Sequence, residues 1–276
     1  MRRAEAGDLV LLAPAERDRR FYIRTLTPGG RLNTNRGELA YDDVIGQPFG
    51  TQVASHLGQS FYLLTPTTEQ LVIGLQRKSQ IIFPKDSGYI IMKLGIVPGV
   101  RVLEAGTGSG GLCLAFASIV GEGGHVYSYD AREDLQRVAR RNIEGLGLRQ
   151  RVTFKLREVG NGFDEAGLDA VFLDLREPWS YLDQARGALR GGGALGVLVP
   201  TANQLVATIR ALHQHLYFGF IEAEELLLRS YRTVPDRVRP DDQMIGHTGF
   251  LVFARAVLPH DHEAHHPVLR RPDDSD

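Results

Sequence analysis

The chain has 276 residues, of which 43% are hydrophobic and 24% charged, and its formal net charge is -1. That length accommodates a catalytic domain and a smaller companion, and that composition disfavours disordered, collagen-like and membrane classes. No apolar run approaches the roughly 20 residues that a membrane span needs. After Met1-Arg2-Arg3 the stretch Leu9 to Ala13 is too short for a signal segment and runs straight into Arg17, Arg19 and Arg20. The lone cysteine, Cys113, has no partner for an internal disulfide, which agrees with a reducing, cytoplasmic setting.

The elements follow in chain order. Residues 1–64 hold short apolar stretches broken by turn signals, Leu9 to Leu12, Phe21 to Ile23 and Ser60 to Leu64 among them, and predict a small β-rich domain. Pro66 and the pair Thr67 and Gln70 signal a capped helix running to about Arg77, and a second short helix is expected from Ser87 to Leu94. Residues 65–99 thus read as a helical connection. From Val100 strands and helices alternate: strands at 101–105, 125–129, 152–156, 170–175 and 194–199, with helices at 111–119, 132–146, 178–189 and 203–215. Alternation at this spacing implies an α/β fold with a doubly wound parallel sheet and right-handed crossovers. Two final strands without a helix between them, 220–229 and 247–256, place an antiparallel terminal strand in that sheet. The catalytic domain is therefore expected over 100–258, followed by a disordered polar tail, 259–276, that holds four of the nine histidines.

The charge of -1 is a sum over unlike parts. The tail carries five acids against Arg270 and Arg271, whereas arginine is in excess over residues 1–40, 129–157 and 229–240. From charge alone, ordinary solvated faces are the favoured reading of such segments over a polyanionic partner.

The sharpest local signal is the run Leu103 to Leu112. Glycines just past a strand let the backbone turn tightly and approach a ligand, and the helix that follows offers free N-H groups. Gly106, Gly108 and Gly111 satisfy the dinucleotide pattern, while Gly106, Gly108 and Gly110 satisfy the loop of S-adenosylmethionine enzymes. Either use wants an acid at the end of the next strand to bind a ribose, and Asp130 stands there. Glu104 favours S-adenosylmethionine, because a carboxylate two residues before the first glycine helps to hold an ammonium group and would repel a pyrophosphate. The antiparallel terminal strand favours it by analogy. Asp174 ends the fourth strand of the sheet and should face the pocket, although before Pro178 it can also serve as a helix cap. A carboxylate there can accept from an exocyclic amine and offset the positive charge that methylating a ring nitrogen creates.

Five motifs in order resemble the bacterial and archaeal tRNA (adenine-58-N1)-methyltransferases: Arg77-Lys78, Phe83-Pro84-Lys85-Asp86, Glu104 to Leu112, Asp174 to Trp179, and Gly246 to Leu251. The resemblance spans about residues 50–256. It implies a class I methyltransferase fold behind a β-rich N-terminal domain, S-adenosylmethionine as donor, tRNA as acceptor and a homotetramer. It also implies that Ser109, Gly110, Gly111, Leu112 and Asp130 contact the cofactor and that Asp174 holds the target adenine. Phe83 replaces the tyrosine common in the family, keeping a stacking role but not a polar one, and a core role is an equal alternative. The aspartate often found near the cofactor adenine is missing, so Glu158 or its backbone is expected to substitute. His247 is expected to be structural. The target base must be extruded from the folded T-loop, and Arg229, Arg232, Arg237 and Arg239 are expected to supply phosphate contacts. A methyltransferase with another substrate, or a nicotinamide-dependent oxidoreductase, remains the alternative at this stage.

Overall fold

A computed structural model describes residues 1–16 and 20–259; the expected tail, apart from Pro259, lies outside the described residues. The chain divides into two compact units, one ending at Leu75 and one beginning at Gln76.

In the first unit, β1 (Leu9–Pro14), β2 (Tyr22–Thr25), β3 (Arg31–Thr34), β4 (Gly37–Ala40), β5 (Gln52–Ala54) and β6 (Ser60–Leu64) precede helix α1 (Thr68–Ile73). Four of the strands form an antiparallel sheet in the order β2-β1-β6-β5, and β3 and β4 pair as a separate hairpin. Alternation sets the inward face: Phe61 and Leu63 are buried while Tyr62 and Leu64 point outward. They pack with Val10, Leu12, Leu26, Leu32 and Leu39 into one core.

Helix α1 opens with the expected box, in which Gln70 N donates to Thr67 Oγ1 and Thr67 N to Gln70 Oε1. It stops at Ile73 rather than Arg77. A side chain at Gly74 would sit 2.9 Å from Ile23 Cδ1, and the backbone of Gln76 leaves the helix to bond the Asn142 side chain at both its N-H and its carbonyl.

The second unit comprises α2 (Pro84–Lys93), β7 (Arg101–Ala105), α3 (Gly111–Ile119), β8 (His125–Asp130), α4 (Glu133–Gly145), β9 (Val152–Leu156), β10 (Leu168–Leu173), α5 (Leu182–Ala188), β11 (Leu189–Val199), α6 (Ala202–Gln214), β12 (Phe218–Glu224), β13 (Tyr231–Arg232), β14 (Arg239–Pro240) and β15 (Phe250–Ala256). Seven strands form one sheet in the order β12-β15-β11-β10-β7-β8-β9. Strands β7 to β11 are mutually parallel, and β15 lies antiparallel between β11 and β12. Chain direction therefore reverses twice, and β12 runs in the sense of the parallel five.

Several element ends differ from expectation, each for a local reason. Helix α2 begins three residues early because proline at its first position presets the helical φ. The helix expected over 178–189 splits into a 3-10 turn, Pro178–Tyr181, and α5. Strand β11 begins at Leu189, with Gly191 to Gly193 absorbed where its register against β10 shifts. Strand β12 occupies 218–224 rather than 220–229, and Phe220, at φ 52, marks the bulge between Gly219 and Glu222. Strand β15 starts at Phe250 rather than His247, because Gly249 at φ 144 turns the chain just before it. Between them lies the β13–β14 hairpin, which joins Arg232 to Arg239 and has no counterpart in the sequence reading.

Candidate active site

Strand order reverses at β7, whose neighbours β8 and β10 follow it in opposite directions along the sheet; ligands lie beyond the carboxyl ends of strands at such a point. The glycine loop leaves β7 there. Gly106, Gly108 and Gly110 all hold positive φ, at 100, 53 and 88°, whereas Gly111 is already helical. The three strained positions follow the G-x-G-x-G spacing. A Cβ on Gly106 would lie 2.1 Å from the Asp174 carbonyl oxygen, so only glycine lets β7 and β10 end side by side. Asp174 N donates to Ala105 O at 2.9 Å, which completes that junction.

Asp130 secures the loop from the next strand. Its Oδ2 accepts from Gly108 N at 3.0 Å and its Oδ1 from Arg132 N at 2.8 Å. Beneath the loop lies a buried polar chain in which Ser128 Oγ donates to Glu104 Oε1 at 2.6 Å and shares a hydrogen bond with Thr107 Oγ1. Burial, reinforced by the charges of Asp174 and Asp130, pushes the Glu104 carboxyl up to about 8 against the pull of its Ser128 and Cys113 hydrogen bonds.

A cleft of about 500 Å³ opens beside the loop. Gly106, Asp130, Glu158 and Asp174 line it, joined by Arg132, Arg157, Arg176 and Tyr181. Asp174 is exposed as a residue where it lines the cleft, while protein crowding around its carboxyl partly desolvates that group. Desolvation raises its carboxyl to about 6, Asp130 adds to the rise, and Arg132 opposes it.

Other expected residues stand elsewhere. Gly108, Ser109, Gly110, Gly111 and Leu112 do not line the cleft, and neither does Glu104, which is buried beneath the loop. Ser109 is buried, and its hydroxyl accepts from Lys78 N and Ser79 N, both at 3.0 Å, so the side chain braces the segment before α2. Phe83 is half-buried at the N-cap of α2 and does not line the cleft. Arg229, Arg237 and Arg239 are exposed; Arg232 pairs with Asp241 and Asp242 and is thereby partly neutralised, and Arg239 makes a longer contact, 3.9 Å, with the same Asp242. His247 is exposed but structural, as expected: its ring bonds Glu225 Oε1 at 2.6 Å and Pro200 O at 2.8 Å and lies 4.9 Å from the Phe250 ring at the start of β15. Sequence reasoning did not single out Arg132, Arg157 or Tyr181, although both arginines fall in the basic segment 129–157.

The sheet with its antiparallel strand, the glycine loop after the first strand and the acid after the second define a class I S-adenosylmethionine-dependent methyltransferase. A family model described as the tRNA methyltransferase complex GCD14 subunit matches residues 59–238, and one described as TrmI-like N-terminal matches residues 5–53. The chain belongs to the TrmI family of tRNA (adenine-58-N1)-methyltransferases. The Thermus thermophilus tRNA (adenine(58)-N(1))-methyltransferase TrmI is 34% identical, over 87% of this chain and 94% of that protein. A Methanocaldococcus jannaschii relative named for adenines 57 and 58 is 30% identical over 87% of this chain and 92% of its own length. Among solved structures, the Aquifex aeolicus TrmI matches with a TM-score of 0.79 at 36% identity, covering 93% of this chain and all of that one. A Thermotoga maritima structure described as an S-adenosylmethionine-dependent O-methyltransferase matches with a TM-score of 0.86 at 36% identity, covering 93% and 96%. Membership of this family sets the nicotinamide reading aside.

Proposed function

We propose that this chain transfers a methyl group from S-adenosylmethionine to N1 of adenine 58 in the T-loop of tRNA. The observation that carries the reading is the placement of Asp174, an acid held at the cleft by the same backbone junction that shapes the glycine loop. The cleft fits the cofactor: Gly106 offers bare backbone, and Asp130 and Glu158 offer carboxylates for ribose hydroxyls and the adenine edge. Glu104 is acted on by Ser128, Cys113 and two carboxylates, so a cationic ammonium would lower the cost of ionising it.

S-adenosylmethionine supplies an electrophilic methyl group on a cationic sulfonium. Asp174 accepts a hydrogen bond from the exocyclic amine of the adenine, orients the ring nitrogen, and offsets the positive charge that the methylated ring acquires. No general base is required, since N1 already carries a free lone pair. The base reaches the cleft by extrusion from the T-loop, and Phe83, which does not line that cleft, is given no part in holding it. Phosphate contacts from Arg229, Arg232, Arg237 and Arg239 offset the cost of extrusion. A homotetramer acting in the cytoplasm completes the reading, and it would combine basic segments of several near-neutral protomers. No helix among the described residues is long and apolar enough to cross a membrane.

The test is methyl transfer from labelled cofactor to tRNA transcripts bearing adenine or guanine at position 58, followed by digestion to nucleosides. Label in 1-methyladenosine from the adenine transcript alone supports the proposal. Equal labelling of both transcripts, or label on a ribose hydroxyl, overturns it.

A further inference from the structure

Two of the motifs that carry the family resemblance, Phe83 to Asp86 and Gly246 to Leu251, are not absorbed by the chemistry above. The fold brings them together. Lys85 Nζ donates to Asp86 Oδ1 at 2.7 Å, to Thr248 Oγ1 at 2.7 Å and to the Leu226 carbonyl at 2.9 Å. Thr248 Oγ1 in turn donates to Asp86 Oδ2 at 2.8 Å. All three ammonium protons and both roles of the hydroxyl are used, and the side chains of Lys85 and Asp86 are 11% and 2% exposed.

The place of this closed ring in the fold gives it meaning. Leu226 follows β12 by two residues and Thr248 precedes β15 by two, so the ring grips both ends of loop 225–249. A second rung, Glu225 to His247, lies directly beside it. Strand β12 runs in the sense of the parallel strands, so this loop leaves the sheet at the carboxyl edge, where the cleft opens. It carries Arg229, Arg232, Arg237 and Arg239. On the other side of the ring, Lys85 and Asp86 stand in the first turn of α2, just after Phe83 and seven residues after the Lys78 backbone that rests on Ser109 of the glycine loop.

We infer that Lys85, Asp86 and Thr248 are positioning residues: a latch that fixes the arginine-bearing loop to the start of α2, so that phosphate contacts are already oriented when RNA arrives. The substrate class it serves is a structured RNA, and to that extent the inference rests on the proposed function. A buried ion pair with every partner satisfied suits such a task, because it specifies one arrangement of the loop.

The informative variant is Thr248→Val, which removes the hydroxyl at nearly constant volume; Thr248→Ser restores it. Thr248→Val should raise KM for tRNA by about tenfold, the scale expected when a buried hydrogen bond is lost. Affinity for S-adenosylhomocysteine and kcat at saturating tRNA should stay as in the wild type, amide exchange should quicken within 225–249, and Thr248→Ser should recover the wild-type KM. Unchanged KM for tRNA in a folded Thr248→Val chain overturns the latch while leaving the methyltransferase reading intact. Equal losses in tRNA and cofactor binding, unrescued by serine, overturn it as well, because they indicate general loosening. If the wild type binds S-adenosylhomocysteine yet labels no tRNA, the functional reading itself fails and the RNA role of the latch falls with it.

Discussion

Asp174 is the residue on which the proposed chemistry turns. Replacing it with alanine should lower kcat by about 10²- to 10³-fold, the range for losing one oriented electrostatic partner, while calorimetry shows cofactor binding retained. Its carboxyl is raised to about 6 in the free protein, and the proposed reaction uses the ionised form. The kcat/KM profile should therefore climb as pH rises through about 6, and Asp174→Asn should erase that inflection. Glu104 writes a different signature, in stability. Its carboxyl moves from an ordinary 4.5 to about 8 on folding, so the folded state holds the proton more tightly than the unfolded one. The contribution is complete below about 4.5 and is lost as pH rises through 8. Urea titrations across that window should show declining stability in the wild type and a flatter profile in Glu104→Gln. Gly106→Ala places a Cβ 2.1 Å from a backbone oxygen at φ 100°, and should cost about 1–3 kcal/mol together with much of the cofactor affinity.

Among the elements, loop 225–249 invites a test by pH. Glu225, with the Pro200 carbonyl, raises the His247 pKa above its ordinary 6.5, and Lys85 opposes the rise. A raised histidine holds its contribution below 6.5 and loses it as pH climbs through the folded value. Amide exchange in the loop, corrected for intrinsic rates, should quicken over that rise, and His247→Gln should exchange quickly throughout. The elements also differ in how legible they are from sequence. Strand β7 matches its expected bounds and β8 runs one residue longer, because turn signals at Pro98-Gly99 and Gly121 to Gly124 set short strand-length segments apart from the helices. Strand β10 lies at 168–173 rather than 170–175, leaving Asp174 just past its end. The glycine loop read out directly, since three positive-φ positions in five residues leave few other residue types available. Strands β13 and β14, two residues each in a polar loop, carry no periodicity to read. The first half of β11 was hidden by Gly191 to Gly193, which imitate a turn. The Lys85 to Thr248 contact spans 163 positions, and no local pattern reports a pairing at that distance. Ser109 illustrates a subtler limit: spacing placed it in the loop, but the turn of its hydroxyl to the Lys78–Ser79 backbone depends on a segment 30 and 31 positions away.

For the whole molecule, charge distribution sets the expected response to salt and truncation. Residues 260–276 carry five acids and two arginines, so their removal should leave tRNA affinity unchanged or slightly higher in a filter-binding assay, and a large loss would assign the segment a role of its own. The junction at which Asp174 N bonds Ala105 O and the Asp174 carbonyl crowds Gly106 has a thermodynamic consequence. The group proposed to hold the base and the loop proposed to hold the donor share one stretch of backbone, so neither is able to shift alone. Occupancy of one subsite should alter the other's dissociation constant, and reciprocity requires the two factors to be equal. S-adenosylhomocysteine should tighten RNA binding by the same factor by which RNA tightens S-adenosylhomocysteine. A protein coupled in this way favours an ordered sequence of arrivals, and spent donor retained in the cleft would delay departure of the methylated RNA.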